Sequence, residues 1–143
     1  MASIKMKMPD DFLNKLSNLG THTDEIVSKV LMAGAEVVEK EVRDDLQSVI
    51  GKDTKHPSQS TGQLIASLGT ASVKQDRDGV FNVKIGFAEN RSDGKSNAMI
   101  ASVIEYGKSN QKAKPFLKPA LRKSKDACVN AMVRKLDEEV SKL

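Results

Sequence analysis

The stretch that decides the fold is Ile26–Ile50, IVSKVLMAGAEVVEKEVRDDLQSVI, in which apolar residues return every three or four positions. This spacing predicts one long amphipathic helix with a single apolar stripe. Thr21 or Thr23 is expected to cap the helix and Gly51 to end it. About 28 residues at ~1.5 Å each make a rod of roughly 42 Å, which is the spine of the domain. The stripe contains Ile26, Val27, Val30, Leu31, Gly34, Val37, Val38, Val42, Leu46, Val49 and Ile50.

Alternating apolar and polar residues on either side of this helix predict β-strands. Ser3–Met8 alternates cleanly and is typical of a half-buried strand. Further along, Thr70–Gln75 and Val80–Phe87 flank Asp76–Gly79, whose composition predicts a hairpin turn. The face expected to point into the core contains Phe81, Val83, Ile85 and Phe87.

Four other segments are predicted as helices or their beginnings. Phe12–Leu19 has helical spacing, and a short apolar helix with Leu64, Ile65 and Leu68 inward follows Thr61 and Gly62. Residues 100–104 indicate a short helix that ends at Gly107, although a strand also fits. Pro115 and Pro119 mark the start of the last helix, because proline is tolerated in a first turn. Its apolar stripe is expected to contain Leu121, Cys128, Met132, Leu136, Val140 and Leu143.

Length and composition favour one globular domain over residues 1–143. Aromatic residues make up only 3% of the chain, so the core is expected to be aliphatic. No apolar run approaches the roughly 20 residues that cross a bilayer, which predicts no membrane partner. The expected fold class is α+β: a small antiparallel sheet of about three strands packed against two long helices.

Residues that could carry chemistry are sparse. The two histidines, His22 and His56, stand in polar stretches without a second histidine at metal-ligand spacing. Cys128 is the only cysteine, which excludes an intrachain disulfide. Glu105 stands among apolar residues, and we expect a partly buried carboxylate held by a lysine, an arginine or a backbone donor. The sequence therefore predicts no enzyme, no cofactor and no metal site.

Positive charge is concentrated in one segment. The chain carries +4 overall, whereas Gly107–Lys125 holds seven cationic side chains and no acidic one, so the remainder is mildly acidic. Cations near a helix start interact unfavourably with the helix dipole, so helix formation alone does not explain them. Their presence favours an anionic partner at this end, either an acidic protein surface or DNA. An ordinary solvated basic surface also fits. The candidate contact residues are Lys108, Lys112, Lys114, Lys118 and Arg122.

Two motifs carry a resemblance. The first is Ser60–Leu68, STGQLIASL; the second has two parts, Ala101–Gly107, ASVIEYG, and Lys114–Leu121, KPFLKPAL. Together they resemble a family of short proteins of long-tailed phages and prophages, described as tail-completion, neck or head–tail joining components. One departure is Lys108, where that family often has threonine. The residues that match its pattern are Thr61, Gly62, Leu64, Ser67, Glu105, Tyr106, Gly107, Pro115, Phe116, Pro119 and Ala120.

The resemblance implies a structural virion component without cofactors. Such a protein is expected to form a ring, with a hexamer favoured, that caps the tail tube or joins it to the head connector. It would be made in the host cytoplasm and act at the head–tail interface. A small basic nucleic-acid-binding accessory protein is the alternative. Its DNA contact would be weak and salt-sensitive because the basic segment reaches only a few phosphates, and the scarcity of stacking aromatics disfavours single-strand recognition. Within the fold, Phe116 is expected to anchor the last helix to the sheet, with a contact to a partner as the alternative role.

Overall fold

The computed structural model describes residues 4–7, 22–50, 62–89 and 94–142, and it confirms the α+β prediction. The predicted helix at Phe12–Leu19 lies outside the described residues, as do Thr21, Gly51 and Thr61. In chain order the elements are β1 (Ile4–Lys7), α1 (Thr23–Val49), α2 (Gln63–Ser67), β2 (Leu68–Thr70), β3 (Lys74–Gln75), β4 (Phe81–Phe87), α3 (Asn97–Tyr106) and α4 (Leu117–Ser141).

The sheet is built around β4. On one side β4 pairs antiparallel with β1. On the other side it pairs antiparallel with β2 and then with β3, so the four segments occupy three strand positions across the sheet. The expected continuous strand Thr70–Gln75 is wrong, because residues 71–73 do not belong to a strand, although the N–H of Ala71 still donates to the carbonyl of Lys84 at 2.8 Å. Thr70 pairs with Ile85 and Lys74 pairs with Asn82, so three residues stand opposite two. One extra residue in this position is a β-bulge, which bends the strand and separates β2 from β3.

The predicted hairpin turn is confirmed. The Asp76 carboxylate accepts hydrogen bonds from the backbone N–H groups of Asp78 and Val80, each at 2.9 Å. Gly79 has φ of +80°, a conformation that glycine adopts without the steric cost of a side chain. The turn therefore closes as the Asp-x-Asp-Gly composition predicts.

The helix α1 lies between the sheet and α4. It contacts β4 and β2 on one side and packs along α4 on the other. Its buried residues repeat at three and four positions, which confirms the predicted stripe. The main buried hydrophobic residues of the three layers are Ile26, Val27, Val30, Leu31, Ala35, Val38, Val42 and Leu46 from α1, Leu68, Val83, Ile85 and Phe87 from the sheet, and Ala120, Cys128, Met132 and Leu136 from α4.

Some burial predictions are wrong in detail. Leu121 and Val140 are exposed: Leu121 lies outside the buried row of residues four apart, which includes Ser124, and at the end of α4 Glu139 is buried in place of Val140. Ser124 can be buried because its hydroxyl donates to the carbonyl of Ala120 at 2.7 Å. On β4, Phe81 is only half-buried. Leu143 lies outside the described residues.

The start of α1 differs from expectation, whereas the predicted helix that ends at Gly107 is confirmed. His22 occupies the N-cap position of α1 and makes no capping bond with its side chain, so Thr23 is the first helical residue and not the cap. The segment ending at Gly107 is a helix, and the alternative of a strand is wrong. Ser96 caps it by accepting a hydrogen bond from the backbone N–H of Met99.

Ion pairs join α1 and α4 at both ends of their antiparallel contact. Lys123 lies 3.2 Å from the Asp45 carboxylate, and Lys29 lies 3.5 Å from that of Glu139. Burial raises the pKa of Glu139, but the cations around it outweigh burial, and its pKa is lowered from the ordinary value of 4.5. The cations concerned are Lys135, Lys142 and Lys29.

We predict that acid destabilises the wild-type protein more than the variant Glu139→Gln. The folded carboxylate holds its proton less tightly than the unfolded one, so its stabilisation is present above about pH 4.5 and is lost as the pH falls through the lower folded value. Urea unfolding from about pH 6 to about pH 3 measures the difference between the two proteins. Glu36→Gln, at an exposed position on α1, is the control. Parallel acid dependence of wild type and Glu139→Gln would contradict the assignment.

Candidate functional site

The two parts of the second motif meet between α3 and α4, in a region we call the junction (Glu105–Ala120). Glu105 is only 3% exposed and faces the start of α4. One carboxylate oxygen accepts hydrogen bonds from the backbone N–H groups of Phe116 at 2.7 Å and Leu117 at 2.8 Å. The other oxygen accepts from the N–H of Lys118 at 3.2 Å. A single buried side chain thus binds three consecutive amides. Of the partners that the sequence allowed for Glu105, a lysine, an arginine or a backbone donor, the structure shows backbone donors.

These bonds account for every backbone donor at the start of α4. The first N–H groups of a helix have no partner within the helix. Here three of them bind Glu105, and the next residue, Pro119, has no N–H to satisfy. Ala120 then makes the first bond within the helix, to the carbonyl of Phe116 at 3.1 Å. The spacing Pro-Phe-x-x-Pro-Ala therefore has a physical basis once an acidic residue supplies the cap.

Gly107 allows the chain to turn back toward Glu105. Its φ is +79°, and a Cβ at this position would lie 2.8 Å from the backbone nitrogen of Ala113 and 2.9 Å from the carbonyl oxygen of Gln111. Any side chain would therefore clash with backbone as well as strain the residue itself. Nearby, the N–H of Lys114 donates to the carbonyl of Ile104 at 2.7 Å and closes the turn.

Phe116 anchors the junction to the sheet, as predicted. Its side chain is fully buried and packs edge-to-face on Phe87 of β4, with ring centroids 6.4 Å apart and an interplanar angle of 74°. Ala120 is also fully buried, one turn into α4. Pro115 is exposed and Pro119 half-buried. The start of α4 is thus held by a buried ring as well as by the Glu105 carboxylate.

A second carboxylate, which the sequence analysis missed, plays the same part for α3. Glu89 accepts hydrogen bonds from the backbone N–H groups of Asn97 and Ala98, each at 2.9 Å, and from the hydroxyl of Ser96 at 3.1 Å. Glu105 stands out in the sequence because it is an acid among apolar residues. Glu89 stands at the edge of a polar loop and offers no such signal.

The first motif forms the turn from α2 into β2. Gly62 is the N-cap of α2 with φ of +80°, Leu64 is buried, and the buried hydroxyl of Ser67 donates to the carbonyl of Leu64 at 2.7 Å. The guanidinium of Arg43 on α1 donates to the carbonyls of Ile65 and Leu68 and ties this turn to α1. Because α2 packs on α3, the two motifs lie at the same end of the fold.

Cationic side chains surround the junction on a surface that we call the basic face. All are exposed except the half-buried Lys114, and none has a carboxylate partner anywhere in the described part of the chain. Lys118 lies over the ring of Tyr106, with its Nζ atom 5.8 Å from the ring centroid. The neighbouring Lys123, by contrast, pairs with Asp45. The basic face contains Lys108, Lys112, Lys114, Lys118 and Arg122.

Exposed apolar side chains adjoin the basic face. Met99 is 65% exposed and Tyr106 is 69% exposed, and their spacing with Val103 places all three on one side of α3. Met99 and Val103 line a shallow groove with Lys108 at its rim. Tyrosine, methionine and arginine are enriched where proteins meet. The surface thus combines unpaired positive charge with apolar area of the kind found in interfaces.

The remaining candidates for chemistry stay apart. His22 is exposed and His56 lies outside the described residues. Burial raises the pKa of the Cys128 thiol, which disfavours the thiolate. In the ranges that the structure describes, no three histidine, cysteine or acidic side chains could hold a metal ion. Nor, over those same ranges, is any helix long and apolar enough to cross a membrane.

Comparison with known proteins gives one match. The model of a family described as "Bacteriophage HK97-gp10, putative tail-component" matches residues 10–107, about two-thirds of the 143 residues. The matched range contains the first motif and Glu105–Gly107, and it ends before Pro115. No curated protein and no solved structure matches.

We predict that Glu105→Ala destabilises the protein by roughly 4 kcal/mol or more. The substitution leaves three amides at the start of α4 without partners, and hydrogen bonds to a charged acceptor are worth about 1.5–3 kcal/mol each. Glu105→Gln should cost less, because one of its two polar atoms still accepts. Urea unfolding measures both, with Glu36→Ala on exposed α1 surface as the control. Equal stability of Glu105→Ala and Glu36→Ala would refute the role of the carboxylate.

Proposed function

This chain belongs to the HK97 gp10-like family of bacteriophage tail components, and we propose that it acts as one subunit of a ring that completes the tail or joins it to the head connector. A hexamer is the favoured ring. Its partners are then copies of itself, the tail tube and the connector, and it works at the head–tail interface after assembly in the host cytoplasm. It makes and breaks no covalent bond.

The observation that carries this proposal is the basic face on its rigid support. Two helix starts, three hydrogen bonds to Glu105 and the buried ring of Phe116 fix the backbone from which these cations project. A surface held in this way loses little conformational entropy when it binds. The same carboxylate that would be the first candidate for a general base already accepts three amide bonds. The arrangement therefore suits docking better than proton transfer.

The chain also carries an acidic surface that a basic face could meet. The helix α1 holds seven acidic and three basic side chains, and Asp24, Glu36 and Asp44 are exposed. Asp45 lies beside Lys123, so the end of α1 that carries Asp24 is about 30 Å from the basic end of α4. Opposite charges at separate places on one subunit favour a contact between unlike surfaces of neighbouring copies. Such heterologous contacts are the ones that close into rings.

A second candidate function is weak binding of DNA by the basic face. The observation in its favour is the lack of carboxylate partners for Lys108, Lys112, Lys118 and Arg122 in the described residues. A patch of this size contacts a few phosphates, and such binding falls steeply with salt. In a tail or connector ring, DNA passes through the lumen. The basic face would line the lumen if it binds DNA, and it would lie at a contact with a protein if it serves docking.

We predict that reversing two charges of the basic face, in Lys108→Glu/Lys112→Glu, leaves the fold intact but prevents particle assembly. Both side chains are exposed, so the free energy of unfolding should change by less than about 0.5 kcal/mol. Like charges brought together at an interface cost several kcal/mol, which is about a hundredfold or more in association. The test is complementation of a phage that lacks this gene, counting joined particles by electron microscopy.

Lys74→Glu, on the exposed strand β3, is the matched control and should restore joined particles. Normal particles with the double variant would refute the contact assigned to the basic face. Normal particles without any copy of the gene would refute the structural function. Joined particles together with lost, salt-sensitive retention on DNA would favour the second candidate.

A further inference from the structure

Within the described structure, α4 exposes several apolar side chains to solvent in part. Leu121, Val129, Val133 and Val140 are between 37% and 40% exposed. With Met99 and Tyr106 on α3, they make up the large exposed hydrophobic residues of the described chain. Four aliphatic side chains along one helix form a patch of the kind that marks a contact surface.

Three of these residues belong to a single row. Residues four apart lie on one line along a helix, and Leu121, Lys125, Val129, Val133 and Asp137 continue such a line. We call them the α4 row. Position 131 is the midpoint between Lys125 and Asp137, which stand six residues from it in opposite directions, and between Val129 and Val133, which stand two residues from it. The row thus has one sign of charge at one end and the opposite sign at the other.

We infer that two copies of this chain pair antiparallel along the α4 row, about a twofold axis that passes between Val129 and Val133. In this arrangement Lys125 of each copy faces the partner's Asp137, and Val129 packs on the partner's Val133. A parallel pair would instead place Lys125 against a second lysine and Asp137 against a second aspartate. The charges therefore select the antiparallel orientation, and the valines supply the apolar contact.

The geometry of packed helices fits this pair. Rows of residues four apart are inclined by about 26° to the helix axis, so when two such rows lie side by side the helix axes cross at about 50°. Crossing helices touch mainly near their midpoint, which places the contact at Val129 and Val133. Lys125 and Asp137 lie one turn beyond the valines, about 6 Å along the axis, and still reach across.

The charged residues are available for such a contact. Lys125 and Asp137 are both exposed, and neither forms an ion pair with any residue of its own chain that the structure describes. On the opposite side of α4, Lys135 and Lys142 are paired with Glu139. Exposed pairs add little affinity by themselves, so the role of Lys125 and Asp137 is to fix orientation and register.

This inference does not depend on the proposed function. The α4 row lies outside the basic face, and a twofold contact joins like surfaces, whereas a ring joins unlike ones. The free protein can form the pair whether or not it enters a ring. Its failure would leave the particle assay unchanged, and failure of that assay would leave the pair unchanged.

The test uses sedimentation velocity of the purified full chain and four preparations: Lys125→Asp, Asp137→Lys, an equimolar mixture of the two, and the double variant. Wild type should be a dimer. Each single variant places like charges in both contacts of a homodimer, and its dissociation constant should rise at least tenfold. In the mixture, one variant has aspartate at positions 125 and 137 and the other has lysine at both. Each contact between unlike variants then pairs an aspartate with a lysine, so heterodimers should form. The double variant should dimerise as wild type does.

Two further variants keep the result interpretable. Val133→Asp should give monomers, and Lys74→Asp on β3 should leave the dimer unchanged, with circular dichroism showing that both are folded. A wild type that stays monomeric at about 100 µM would overturn the inference, as would a dimer that the single variants do not weaken. Single variants that are weak but do not recover on mixing would overturn the antiparallel pairing.

Discussion

The carboxylate of Glu105 at the start of α4 is the interaction on which this structure depends. It satisfies three backbone donors that the helix cannot satisfy itself, and Pro119 removes the fourth. A buried carboxylate without partners would be strongly unfavourable, and so would buried amides without an acceptor. Glu105 stands in the last turn of α3, where the helix dipole disfavours an acid. That cost is offset because the positive end of α4 faces it.

Fixing the start of α4 also fixes the surfaces that α4 carries. The basic face projects from the turn before this helix and from its first turns, and the α4 row runs along its exposed flank. Both are therefore held against α1 and the sheet by the same contacts, chiefly the buried ring of Phe116 on Phe87 and the partly exposed ion pairs at the two ends of α1. Rigid support of this kind lets one short chain present unlike surfaces in constant relative positions.

The sequence predicts those elements whose residues repeat with a clear period. The long stripe of α1 and the alternation of β4 are both seen, because burial on one face leaves a mark at every third, fourth or second residue. The role of Glu105 was predicted in kind, since an acid among apolar residues requires a partner. What the sequence did not reveal depends on contacts between distant residues: the bulge after Thr70, which arises from pairing with β4, and the cap that Glu89 supplies. Leu121 and Val140 were misplaced because a helix that packs on one neighbour buries a narrower stripe than its apolar residues cover.

The range of the family match bears on where the folding unit ends. The match stops at Gly107, so it includes Glu105 but not the amides of residues 116–118 that Glu105 binds. The glycine at 107 is required by close contact with Gln111 and Ala113, which also lie beyond the match. Glutamate at position 105 and glycine at position 107 are explained only if the chain turns back after residue 107 and begins α4. The start of α4 is therefore part of the same structural unit as the matched residues, and a fragment that ended at Gly107 would lack both the amides that Glu105 binds and the helix that packs along α1.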